Sequence, residues 1–329
     1  MKRFIYLTLA LGLLGFNQGC DKNNSSTGSG GATNSPAVKK LKLAFVTNTK
    51  NDFWTTVRHG CDSAALNLGN VDVDFRFFTG STVDEQQQIL NDLVASGVDG
   101  IAISPIDGSK QAALLDQIAA KTLLVCVDSD VPDSKRVCFI GTDNVAAGAQ
   151  AADLLKAALP KGGKVILFVG YPGAQNAKDR IQGLQDGLAG SNIQIIDTMG
   201  DETKPDVAQK NAQDALAKHP DLAGMVGLYS YDGPAILAGA RAAGKAGQVK
   251  IVCFDDDTAT LDGLAAGDIS GTVVQISSRI GAESITRMDR YLGGDKTQLS
   301  AGKILFKSLP IDKSKVELIR AWQQDMLQP

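Results

Sequence analysis

From residue 41 the chain alternates short apolar runs with stretches of helical period, and it does so twice over. The first half carries LKLAFV (41–46), VDVDFRFF (71–78), VDGIAI (98–103), TLLVCV (122–127) and VCFIG (137–141), with helical periods between them such as 85–96 and 110–120. The second half carries KVILFV (164–169), IQIIDTM (193–199), LAGMVGL (222–228), KIVCF (250–254) and ISGTVVQ (269–275). Its helical segments are 144–159, 175–188, 205–218, 233–243 and 277–292. Buried strands separated by roughly 10–15 residues of helix mean βαβ units, a parallel sheet and right-handed crossovers. Ten such runs in one open sheet would be unusual, so two sheets of five or six strands are expected. Each half opens with a strand, a polar turn and a helix, which places a domain boundary near 141–144. The fold class is α/β, in two domains.

In sheets of this kind ligands bind beyond the carboxyl ends of the strands. The residues there are Thr47, Asn48 and Asn51, then Ser104 and Asp107, Asp128, and Thr142, Asp143 and Asn144. The second half adds Ser230, Tyr231 and Asp232, then Asp255, Asp256 and Asp257, and finally Gln275. Few are basic and most accept or exchange hydrogen bonds, although some serve only as helix N-caps. The turn NTKNDFWTTVRHG (48–60) is peculiar, because Phe53 and Trp54 sit side by side among Asn48, Asn51 and Asp52. Adjacent helical residues point about 100° apart, so both rings cannot bury in one apolar stripe. The pair is expected to present aromatic faces to a ligand.

Several kinds of chemistry are excluded. Net charge is -3 and no basic stripe exists, so nucleic acid is not an expected partner. There is no G-x-S-x-G elbow and no G-x-G-x-x-G after a strand, and KGGK (161–164) lacks the P-loop spacing. The only histidines, His59 and His219, lie far apart, and Asp255 to Asp257 lack the spaced glycine and distal glutamate of an EF-hand. No metal, no cofactor and no catalytic residue is expected, and the chain does not read as an enzyme. Cys61, Cys126, Cys138 and Cys253 form no C-x-x-C pair, and the sequence leaves their thiol state open.

Residues 1–20, MKRFIYLTLALGLLGFNQGC, read as an export signal, with Lys2 and Arg3 before a 13-residue apolar core from Phe4 to Phe16. That core is too short for a bilayer of about 30 Å. Gly19-Cys20 after it resembles a bacterial lipobox, in which Cys20 is lipidated, although Asn17 and Gln18 depart from the residues that box prefers. Residues 21–40, rich in Ser, Gly, Asn and Thr, read as a flexible tether. The protein is therefore expected at the periplasmic face of a bacterial membrane, exported and held by a lipid anchor.

The strings LKLAFVTNTKNDFW, ILNDLVASGVDGIAISPID (89–107), VCVDSD (125–130) and FIGTDNVAAG (139–148) resemble the ribose/galactose-type periplasmic sugar-binding proteins. KVILFVG with NAKDRIQGL, SYDGPAIL (230–237), IVCFDDD (251–257) and GTVVQ (271–275) continue the likeness in order. The resemblance implies the type I periplasmic binding protein fold, two Rossmann-like lobes joined by crossovers near Thr142, Gln275 and Lys303–Phe306. The lobes would be 41–142 plus 276–304 and 143–275 plus 305–329. It further implies a monomer that holds a monosaccharide, a ribose-like pentose or a hexose, in the cleft and delivers it to the permease of an ABC importer. A sugar offers C–H faces to aromatic rings and a rim of hydroxyls to polar groups. Matched by position, Thr47, Asn51, Phe53, Trp54 and Asp128 would be contacts of the first lobe. Tyr231 or Asp232, Asp255 and Gln275 would be contacts of the second. The chain departs from the pattern at Ser129, where relatives place arginine, and at Thr203, where they place an aromatic. Lys178 aligns with the contact arginine of NAKDR, and Arg180 with a residue that supports the scaffold. Two other readings stay open. One is a sensor or signal-carrier binding protein, and the other an extracytoplasmic carbohydrate-acting enzyme using Asp128 and Asp255.

Overall fold

The computed structural model describes residues 40–80 and 82–326. The expected export signal, Cys20 and the expected tether up to residue 39 lie outside the described residues. No helix among the described residues is long and apolar enough to cross a membrane.

The chain first lays down β1 (Leu41–Val46), α1 (Asp52–Leu68), β2 (Val71–Arg76), α2 (Val83–Ala95), β3 (Gly100–Ile103), α3 (Gly108–Ala119), β4 (Leu123–Val127) and β5 (Cys138–Thr142). It then builds α4 (Asn144–Ala158), β6 (Gly163–Val169), α5 (Gln175–Leu188), β7 (Ile193–Gly200) and α6 (Pro205–Lys218). β8 (Leu222–Gly227), α7 (Asp232–Ala242), β9 (Lys250–Phe254), α8 (Thr258–Ala266) and β10 (Gly271–Val274) complete that half. α9 (Ser277–Leu292), β11 (Lys303–Phe306), β12 (Leu309–Ile311) and α10 (Val316–Met326) follow.

The strands form two six-stranded sheets, ordered β2-β1-β3-β4-β5-β11 and β7-β6-β8-β9-β10-β12. All pairings are parallel except the edge strand β12, which runs antiparallel to β10. The two orders are the same when each sheet is read in chain order, so the lobes repeat one doubly wound plan. Strands β3, β4 and β5 are buried along their whole length, as strands covered by helices on both faces must be. Side-chain caps start several helices: Asn51 accepts from the Trp54 N–H, Thr82 forms a capping box with Glu85, and Asp143 accepts from Ala146.

The chain passes between sheets three times: after Thr142, after Val274 and after Phe306. The third passage falls at 307–308 rather than at the expected 304/305, because Lys303–Phe306 is a strand paired along its full length with β5. Both β11 and β12 are short edge strands with partly exposed residues, and the apolar stretches they leave, ILF in β11 and LPI in β12, are too brief to mark a strand in the sequence. Cys61, Cys126, Cys138 and Cys253 are buried free thiols. Burial pushes the thiols of Cys126 and Cys253 up to about 12, so they behave as small apolar groups.

In each lobe two helices meet backbone to backbone through a pair of glycines. A Cβ on Gly60 of α1 would lie 1.9 Å from the Ser278 carbonyl oxygen of α9, and one on Gly281 would lie 2.0 Å from that of Val57. The second lobe repeats this. A Cβ on Gly148 of α4 would lie 2.1 Å from the Arg180 carbonyl oxygen, and one on Gly183 of α5 would lie 1.9 Å from that of Val145. Gly183→Ala must therefore push α4 and α5 apart. Alanine's better helix propensity opposes this by only about 1 kcal/mol. A net loss of about 1–3 kcal/mol is expected from urea denaturation, and an unchanged midpoint would show that the helices separate freely.

Candidate functional site

The two lobes meet over the carboxyl ends of their central strands, and the polar residues there converge on one cavity. Its walls are Asn48, Thr49, Asn51, Phe53, Trp54 and Asp128 from the first lobe. Asn176, Arg180, Tyr229, Ser230, Asp255 and Gln275 line it from the other side. Measured as room for water centres, the cavity holds about 20 Å³, space for one or two waters.

Two aspartates occupy equivalent places. Asp128 follows β4 and Asp255 follows β9, each with a left-handed backbone, φ 59° and 67°. Each N–H donates to the neighbouring strand, Asp128 to Ile140 O at 3.2 Å and Asp255 to Val273 O at 2.9 Å. Asp tolerates this conformation better than bulkier residues, and it turns both carboxyls into the space between the lobes. The same uncommon non-glycine conformation stands at the equivalent position of both lobes.

Asp128 Oδ2 accepts from Ser104 Oγ at 2.8 Å, Asn176 Nδ2 at 3.1 Å and Asn48 Nδ2 at 3.4 Å. Burial raises its pKa, against the opposing pull of Arg180 and these donors. The Asp255 carboxyl accepts from Gln275 Nε2 at 3.0 and 3.2 Å. Burial pushes it up to about 8, with Arg180 and Gln275 opposing. Gln275 Oε1 in turn accepts from Thr142 Oγ1 at 2.8 Å and Arg180 Nη2 at 2.9 Å, so two of the three passages are tied together here.

Arg180 is the cation of the cavity. It is 1% exposed. Its Nε donates to Asn144 Oδ1 at 2.9 Å and its Nη1 to the Leu228 carbonyl. The guanidinium lies 4.4 Å from the centroid of the Phe254 ring. Across the cavity, the Asn51 amide donates to Ser230 Oγ at 2.9 Å, and Tyr229 Oη donates to Asn176 Oδ1 at 3.1 Å.

Phe53 and Trp54 do line the cavity, yet both are buried, at 8% and 1% exposure. Trp54 meets Phe45 and Phe53 edge-on at 6.0 and 5.0 Å between centroids, and its indole N–H donates to Asn48 Oδ1 at 2.9 Å. A single apolar stripe cannot cover both rings, but the first lobe's core and the facing wall of the cavity cover them together.

Four expected site residues stand elsewhere. Lys178 is exposed on α5, because the face that turns inward carries Asn176 and Arg180, one turn apart. Thr47 is buried below the cavity, donating to Thr49 O and accepting from the Phe78 N–H, which pins the ends of β1 and β2 together. Tyr231 points away to Asp201, and Asp232 lies under the turn, accepting from the Leu228 and Tyr229 N–H groups. The same turn shows Tyr229 and Ser230 to the cavity instead. Thr203 lines a separate space at the rim with Lys50, Phe78 and Lys204. The sequence singled out neither Asn176 nor Tyr229 and gave Arg180 only a scaffold role, yet all three line the cavity; the four-residue spacing of Asn176 and Arg180 on one helix face is the signal that could have found the first. Among the described residues no group of three or more His, Cys, Asp or Glu converges to hold a metal ion.

A family model described as a periplasmic binding protein domain matches residues 43–296. The ribose import binding protein RbsB of Salmonella typhimurium is 26% identical over 267 residues, 80% of this chain and 88% of that protein. The D-allose-binding periplasmic protein of Escherichia coli is 26% identical over 84% of this chain and 89% of its own length. Among solved structures, an ABC transporter solute binding protein from Burkholderia graminis in complex with D-arabinose superposes with a TM-score of 0.79. It is 28% identical, covering 84% of this chain and 97% of that one. GanP, a glucose-galactose binding protein from Geobacillus stearothermophilus, gives 0.78 at 25% identity, covering 84% and 98%. With two lobes of one doubly wound plan, a polar cavity at their strand ends and a family match over most of its length, the chain belongs to the periplasmic binding protein domain family.

Proposed function

We propose that this chain is the extracytoplasmic sugar-binding component of an ABC importer, closing on one monosaccharide and handing it to a membrane permease. The observation that carries the reading is the chemistry of the cavity. It has a buried carboxyl group from each lobe, side-chain amides, a guanidinium and an aromatic wall, all within reach of one small polyhydroxylated molecule. Ribose, allose and D-arabinose in the names of the relatives fit that chemistry, and pentoses or hexoses are the substrates assigned here. Asn51, Phe53, Trp54, Asp128, Asp255 and Gln275 are taken as contacts, joined by Asn48, Asn176, Arg180, Tyr229 and Ser230. Lipidation at Cys20 would hold the protein beside its permease.

A sugar is larger than the cavity, so binding parts the lobes and substitutes hydroxyls for bonds such as Asn51 to Ser230 and Asn176 to Asp128. Ligand contacts to both lobes then favour closure over it. The Asp255 carboxyl gains hydroxyl donors, which favour its ionised form. With its pKa at about 8 beforehand, binding at pH 7 should release a proton. Calorimetry with D-ribose, D-allose, D-arabinose, D-xylose and D-galactose in buffers of different ionisation enthalpy tests both points. One sugar should bind near micromolar, about -8 kcal/mol, with proton release, and be recovered unchanged. Absence of binding across the panel would sink the reading, and chemical conversion of any sugar would favour an enzyme.

A further inference from the structure

Beneath the cavity wall of the second lobe lie two carboxyl groups that sugar binding does not use. Asp201, just after β7, is 1% exposed, and Asp232, at the start of α7, is 0% exposed. Asp201 Oδ1 accepts from Tyr231 Oη at 2.5 Å and from the Thr203 N–H at 2.9 Å. Asp232 Oδ2 accepts from the Tyr229 and Leu228 N–H groups at 2.8 and 3.1 Å. The other two oxygens, Asp201 Oδ2 and Asp232 Oδ1, are buried without any donor, and the two side chains stand within hydrogen-bonding reach of each other. Two bare carboxylates cannot share such a place, whereas one proton between them satisfies both orphan oxygens.

We propose that Asp201 and Asp232 share a single proton, forming an acid–carboxylate bridge that positions the Tyr229–Ser230 wall of the cavity. The bridge joins two segments that need holding. On one side, Glu202 and Thr203 are consecutive non-glycine residues with φ 55° and 60°, a strained left-handed pair anchored through Asp201. On the other, the turn held by Asp232 places Leu228 O on Arg180, Tyr229 Oη on Asn176 and Ser230 Oγ on Asn51. A shift of the turn therefore moves three contacts of the cavity.

The surroundings favour the protonated pair. Burial, then the neighbouring carboxyl, holds the proton on Asp232 far above the ordinary range, and burial raises Asp201 as well. The other groups facing the pair are the phenols of Tyr171, Tyr229 and Tyr231, all raised by burial. Glu202 and Lys204 pair with each other at 2.7 Å in solvent, and Asp128 and Arg180 stand beyond Tyr229. A folded-state pKa above the unfolded value means that the bridge stabilises the fold fully at low pH and loses that contribution as pH rises through the folded pKa.

The test is urea denaturation between about pH 6 and 10 of wild type, Asp232→Asn and Asp201→Asn, in which the amide supplies a permanent donor. The folded wild type should retain one proton more, relative to its unfolded chain, than either variant, seen as a steeper fall in stability with pH. The infrared difference between wild type and variant at pH 7 should contain a protonated-carboxyl band. Equal slopes without that band would overturn the bridge. If neither variant folds, carboxyl-carbon NMR of wild type decides, and two side chains that ionise near pH 4 like free aspartate would refute it. Positioning is read from the sugar that the panel identifies. Asp232→Ala should weaken it about tenfold, with Asp232→Asn recovering most of that loss; equal losses would confine the bridge to stability. This arm rests on the sugar-binding reading. The proton count does not, so the two can fail separately.

Discussion

Arg180→Met should destabilise the fold by about 3–5 kcal/mol and weaken sugar binding by more than about 100-fold. The substitution keeps the length of the side chain and removes every donor. Asn144 Oδ1, the Leu228 carbonyl and Gln275 Oε1 would each be left buried without that partner, at roughly 1–3 kcal/mol for an orphaned buried group. Asp128 and Asp255 would lose the cation that holds them down, so both would keep their protons to higher pH and accept sugar hydroxyls poorly. Arg180→Lys retains the charge and three donors but concentrates them on one atom, without the planar fork that spans Asn144, Leu228 and Gln275, so it should fall between. Urea denaturation and calorimetry at pH 7 measure the pair of effects. A stability loss below about 1 kcal/mol with unchanged affinity would reduce Arg180 to a bystander.

Trp54→Ala should lose about 3–5 kcal/mol of stability, and its sugar affinity should fall as well. The indole is 1% exposed, packs edge-on against Phe45 and Phe53, and donates to Asn48. Asn48 in turn donates to Asp128, so the loss reaches the charged acceptor through one intermediate. A domain stable by about 5–15 kcal/mol would survive, with a lower melting temperature. Trp54→Phe separates the two roles, because it keeps an aromatic face and orphans Asn48 Oδ1. It should recover most of the packing and little of the Asn48 alignment, seen as a smaller stability loss of about 1–3 kcal/mol with weaker binding. If Trp54→Phe bound like wild type, the indole N–H would have no part in the site.

The fold was legible because both signals that specify it are strong in this sequence. Helices at 175–188, 205–218 and 277–292 match their expected spans, since each has a clear apolar period and a polar turn before it. The edge strands at 303–306 and 309–311 were not legible as strands, because each is only 4 or 3 residues long and the second has Pro310 inside it.

The cavity was legible where strand geometry decides it. Asp128 and Asp255 follow strands whose last four residues are buried, so their carboxyls turn into the space between the lobes. It was illegible where a helix face or a turn decides it. Lys178 and Arg180 are two residues apart and so lie on different faces of α5, which matching of strings cannot see. Tyr229 closes an apolar run and reads as one more core residue, yet its hydroxyl reaches Asn176. Phe53 and Trp54 can both bury because the cleft supplies a second covering surface beside the core of the first lobe.

The glycine seams bear on how closing force moves through the molecule. A helix pair in contact through its peptide groups has no soft side-chain layer to compress, so it works as a push-rod where ordinary packing would act as a spring. In the second lobe that rod begins at Asn144, immediately after the first passage between sheets, and reaches Asn176 and Arg180 through α5. Bending at Thr142 should consequently arrive at the cavity undamped, with the give confined to the three short passages. Substitutions on the walls outside these two helices, at Asn51, Phe53 or Ser230, leave the rod untouched, which allows the choice of sugar to drift while the stroke of the machine stays constant.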